Sequence, residues 1–155
     1  MSPVTQRRRT RPGVGWLAGL LLLAGCSPEP FPEEYRTDRQ AFIEAVTMIE
    51  EAGVLLQQSQ NGELPVEVAV NHLEQGMFTG YRVRESFLDY VHPQLNGVYN
   101  NELLPGAEAY IQGVREGDID AQSEGIRKVG QWMRFWEANR AEILERLQID
   151  RANPV

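Results

Sequence analysis

The chain has 155 residues, enough for one domain, and a formal charge of −7, which disfavours binding to nucleic acid or to anionic lipid headgroups. That average hides a split. Arg7, Arg8, Arg9 and Arg11 fall in the first 25 residues, which hold no Asp or Glu, and setting them aside leaves 11 basic against 22 acidic residues, a charge of −11. Cys26 is the only cysteine, so an intramolecular disulfide is excluded and a packed core must hold the domain together.

In chain order, Gln6-Arg7-Arg8-Arg9-Thr10-Arg11 reads as a positive leader, residues 14–23 as an apolar run, and Leu23-Ala24-Gly25-Cys26 as a cleavage site. The run is too short to span a bilayer, which takes about 20 residues. A buried helix with an incidental cysteine would need all three features to coincide. The twin-arginine pattern wants apolar residues where Thr10-Arg11-Pro12 follow Arg8-Arg9. Leu23-Ala24-Gly25-Cys26 resembles, at all four positions, the lipobox of bacterial lipoproteins. The resemblance covers this N-terminal segment only. It implies removal of residues 1–25, diacylglycerol on the Cys26 sulfur and a membrane anchor. Ser27, where Asp would retain a lipoprotein in the inner membrane of enteric bacteria, implies the outer membrane, facing the periplasm, for a Gram-negative host.

Residues 26–32 are a Pro-rich tether, with Pro28, Pro30 and Pro32 favouring extended backbone that reaches about 20 Å. The domain is expected at residues 33–148. The first helix is predicted over 33–57, with Phe42, Val46, Ile49, Gly53 and Leu56 on one face. Residues 57–62 form a polar break. Pro65 then starts a second helix whose stripe, Val66, Val70, Leu73, Met77, Arg84, Leu88 and Val91, continues to Val91; Val66-Glu67-Val68-Ala69-Val70 also alternates like a strand, but the run is too long and too periodic for one. Pro93 disfavours helical geometry at His92 and ends the segment.

Residues 95–104 suggest a short helix, and Pro105 either kinks it or opens a new one to Arg115. Gly117 is the expected stop and Asp118 the expected cap of the last helix. That helix, over 119–147, has Ile126, Val129, Met133, Trp136, Ile143 and Leu147 on one face, with Trp132, Phe135 and Leu144 beside it. Residues 149–155 read as a frayed tail. The pattern predicts an all-α fold, an antiparallel bundle of about four helices.

Candidate sites are few. Asp89 and His92, one helical turn apart, form half a metal site, but the Glu-x-x-His pairs of di-iron bundles are absent, and His92 reads more simply as a cation at a helix C-terminus. No metal or other cofactor is expected. The serines lie in no nucleophile elbow, and Cys26, once acylated, is no thiol. Gly76-x-x-x-Gly80 permits close helix packing, or else leaves space beside Phe78 and Tyr81 for a small apolar ligand. Arg84 and Arg140 fall within apolar stripes, so each is expected to reach out to water or to meet an acidic partner.

Trp132, Phe135 and Trp136 are the expected partner-binding surface. With Met133 they cover over half the helix circumference, so either neighbours enclose the helix or one aromatic is exposed. The function expected from sequence is a membrane-anchored, non-enzymatic envelope lipoprotein, an interaction or accessory component contacting another envelope protein and no nucleic acid. The alternative is a small-ligand- or metal-binding bundle.

Overall fold

The computed structural model describes residues 30–149; the predicted signal segment, Cys26 and the last six residues lie outside them. A 3-10 turn, Glu33–Tyr35, leads into α1 (Arg36–Gln60). Then come α2 (Val66–Gly80), α3 (Glu85–Val91), α4 (Leu95–Val98), a π-helical turn (Tyr99–Leu103), α5 (Leu104–Glu116) and α6 (Ile119–Arg146). The fold is an all-α bundle, with no strand among the described residues. Its four long helices, α1, α2, α5 and α6, run antiparallel to their neighbours.

Small residues bring α1 and α2 together. Ala45, Ala52 and Ala69 are buried. A Cβ on Gly76 would lie 3.0 Å from Ile49 Cγ1 and Met48 Cβ, and one on Gly80 2.7 Å from the Tyr99 hydroxyl. The predicted Gly76-x-x-x-Gly80 spacing is therefore filled by neighbours. Gly53 is a correction: it faces open space, and Ala52 takes the inward position. The seam with α2 follows the small side chains at 45 and 52, which rotates Gly53 outward.

The single helix predicted from Pro65 to Val91 is also corrected. Pro65 precedes α2 as its N-cap, and the helix closes at Gly80. Two tight turns follow, with Arg82 N–H donating to Thr79 O and Val83 N–H to Gly80 O. Arg84 is extended, and its N–H donates to Asp38 Oδ1 at 2.9 Å. The carboxylate of α1 thus takes a donor that a continuous helix would have used internally. Leu88 and Val91 are buried all the same, which is why the stripe looked unbroken. His92 is extended before Pro93, as expected.

Pro105 stands in the first turn of α5 and so opens a new helix, directly after the π turn. It has no N–H for the carbonyl four residues back, and the π turn absorbs the mismatch just before it. The freed Asn101 carbonyl accepts from Lys128 Nζ at 3.2 Å, using the only lysine in the chain. Gly117, at φ 70°, ends α5, and Asp118 caps α6 by accepting from the N–H groups of Asp120 and Ala121.

Glycine also sets the α5–α6 contact. A Cβ on Gly125 would lie 2.6 Å from Tyr110 N and 2.7 Å from Gly106 O. This backbone contact rotates α6 away from its predicted face. Gly125, Trp132, Trp136, Ile143 and Leu147 are buried, whereas Ile126 is 62% exposed. The helix ends with Gln148 at φ 53° and Ile149 N–H donating to Leu144 O, a Schellman-type stop. Ile149 packs against the core, so it belongs to the domain rather than to a frayed tail.

Candidate functional site

Trp132 and Trp136 lie inside the bundle, 1% and 4% exposed. Their rings stack at 5.6 Å, and Phe42 meets Trp136 and Tyr99 meets Trp132 edge-on. Trp136 Nε1 donates to Glu50 Oε1 at 2.8 Å, which satisfies the indole where α6 crosses α1. Phe135 is half-buried against Trp132 and the His92 ring. Neighbours therefore cover the aromatic face of this helix, while Arg134, Glu137 and Ala138 on its other side are exposed, and the three aromatics predicted as a partner surface are core and core margin.

Asp89 is exposed and His92 is buried. The His92 Nδ1 accepts from the Gln94 N–H at 3.2 Å, so the ring closes the turn after the helix rather than capping carbonyls. Among the described residues no group of three or more His, Cys, Asp or Glu is placed to hold a metal ion. His72 meets Glu51 on α1 at 2.9 Å.

Sequence reading missed a cluster at the pole where the chain enters. Phe31, assigned to the tether, packs edge-on against Tyr90 at 6.0 Å, and Tyr35 lies 5.1 Å from Tyr90. Each ring carries a guanidinium: Arg39 over Phe31 at 5.2 Å, Arg84 over Tyr35 at 5.4 Å and Arg146 over Tyr90 at 4.2 Å. Arg39 also donates to the Gln148 carbonyl at 3.3 Å. Both ends of the described chain therefore converge on one side chain. Spacing on one helix cannot reveal this, because the six residues come from three separate stretches of chain, 31–39, 84–90 and the end of α6.

Asp38 anchors the pole from within. Burial pushes its carboxyl pKa up, but the hydrogen bonds and charge of Arg84 outweigh that and hold it below the ordinary value. Of the two alternatives open for Arg84, it takes the acidic partner, with its side chain half in solvent. Arg140 instead lies over the Trp136 ring at 5.7 Å.

Among the described residues the large exposed aromatics are Phe78, 59% exposed, and Tyr81, 53% exposed. They sit one turn apart at the end of α2. Nearby, Glu74 receives a bidentate bond from Arg115 at 2.8 and 2.7 Å, and Tyr81 donates to Glu108 at 3.2 Å. Both contacts tie α2 to α5. Comparison of the chain with protein-family models, curated proteins and solved structures gave no match.

Proposed function

We propose that this is a membrane-anchored envelope lipoprotein whose acidic helical domain works, without catalysis, by contact with another envelope protein. The observation that carries the reading is Leu23-Ala24-Gly25-Cys26, preceded by an arginine cluster and a leucine run. Two or three acyl chains at Cys26, each buried methylene contributing about 0.8 kcal/mol, hold a protein firmly on a bilayer. By the Ser27 rule, a Gram-negative host would carry it on the outer membrane, facing the periplasm.

Phe78 and Tyr81 are the contact surface that supports this reading best. They are large, exposed and framed by interhelical polar contacts, the composition of an aromatic anchor with a polar rim. Metabolic labelling with a fatty-acid probe tests the anchor: label is expected on the native chain and lost in Cys26→Ser. A photo-crosslinking residue at 78 tests the surface in intact cells. Label persisting in Cys26→Ser overturns the anchor, and no protein adduct from position 78 overturns the surface.

A small-ligand-binding bundle is the second reading. It rests on an open surface depression along α1 beside Arg36, Arg39, Ile43, Thr47 and Met48. Its described walls belong to one helix, whereas small-molecule sites bury most of the ligand, so the contact reading is preferred. Absorption spectra and metal analysis of the purified protein separate the two.

A further inference from the structure

We propose that the pole built from Phe31, Tyr35, Tyr90, Arg39, Arg84 and Arg146 is a phospholipid contact on which the domain stands, with the guanidinium groups of Arg39 and Arg146 toward lipid phosphates, Arg84 held by Asp38, and the rings at the headgroup level. The proposal rests on the lipid-anchor reading and deepens it by assigning an orientation.

Chain length gives the first argument. Phe31 is five residues from Cys26, and five residues span at most about 18 Å. The pole is thus held beside the bilayer. The other end of α1, 25 residues long, lies roughly 37 Å further on at the rise of an α-helix.

Side-chain chemistry gives the second. Tyrosine presents an apolar body and a polar tip, which suits the membrane–water boundary. Arginine lays its stem on apolar surface and its fork toward phosphate. All three rings here are half-buried and carry an arginine.

Charge gives the third. The chain beyond residue 25 carries −11 and is repelled as a body by anionic lipid. At the pole, Arg36 pairs with Glu33 and Arg84 with Asp38. Arg39 and Arg146 donate to the backbone carbonyls of Gln148 and Tyr90, and offset the exposed Glu34 and Asp89. With the exposed Glu85 beside Arg84 the pole is one negative charge from neutrality while the remainder is strongly acidic, and this difference turns the pole toward the membrane.

The test uses the full lipidated chain floated with vesicles of equal phosphatidylethanolamine and phosphatidylglycerol. Because Cys26 is acylated, spin labels attach only at added cysteines: Thr37→Cys or Ser86→Cys at the pole, and Asn61→Cys or Ser123→Cys away from it. The expected result is loss of collisions with an aqueous nickel chelate, and gain of collisions with oxygen, at 37 and 86 but not at 61 and 123. Arg39→Gln with Arg146→Gln should restore nickel collisions at 37 and 86 while the protein still floats and stays helical. Flotation with equal nickel access at all four sites overturns the orientation and leaves the anchor standing. Failure to float overturns the anchor, and the orientation falls with it. If the double arginine variant unfolds, the four labels on the otherwise native chain still decide.

Discussion

The Arg84 backbone N–H donates to Asp38 Oδ1 at 2.9 Å while its guanidinium donates twice to Oδ2, at 3.0 and 2.6 Å. One carboxylate thus closes the N-terminus of α3 and pins it to α1, 46 residues away in sequence. The Arg84 side chain is half in solvent, so its charge is screened and the hydrogen bonds carry most of the effect. Asp38→Ala should cost about 2–3 kcal/mol at neutral pH, read by urea unfolding. The carboxyl pKa is held below its ordinary 3.8. Its contribution is therefore complete above that value and is lost as pH falls through the lower folded value. The gap between native and Asp38→Ala stability should be constant from neutral pH to about pH 4 and shrink below it. A gap that already shrinks above pH 5 would contradict the assignment.

Trp132→Ala and Trp136→Ala should each cost about 3–5 kcal/mol, because each removes a ring from an enclosed stack. Phe135→Ala should cost less, since Phe135 is half-buried. Thermal melting of the three variants orders them. An unchanged melting temperature for Trp132→Ala would return these aromatics to the surface.

Two glycines on the long helices should respond in opposite directions. Gly53 has open space around it, so Gly53→Ala should stabilise by about 0.5–1 kcal/mol through helix propensity. At Gly125 a Cβ would meet backbone atoms of α5 at 2.6 and 2.7 Å, and helix backbones cannot yield as a flexible side chain can. Gly125→Ala should destabilise by about 1–3 kcal/mol or more. Denaturant midpoints of the pair provide the measurement, and equal shifts would refute the close approach of α5 and α6.

Tyr99 is fully buried and its hydroxyl has no hydrogen-bond partner among the described residues. Burial alone drives its pKa far above the ordinary phenol value. An unsatisfied buried hydroxyl costs about 1–3 kcal/mol, so Tyr99→Phe should be neutral or stabilising in chemical unfolding. A clear loss of stability would mean that the hydroxyl is satisfied after all.

The sequence by itself determined the helical class, most helix boundaries and much of the core. Phe42, Val46, Ile49, Val70, Leu73 and Met77 recur at helical steps, and a repeating apolar face has to be buried somewhere. Pro93, Gly117 and Asp118 act on their own backbone, so their roles as stops and cap were equally legible. The tertiary structure alone decided which way each helix is turned. Gly125 against the α5 backbone sends Ile126 to solvent and encloses Trp132, and Asp38 breaks a stripe that continues in sequence from Met77 to Val91. Each of these depends on a partner many residues away, which no local period encodes. The arginine–aromatic pole was illegible for the same reason: its members come from separate segments and become neighbours only when α1, α3 and α6 pack at one end of the bundle.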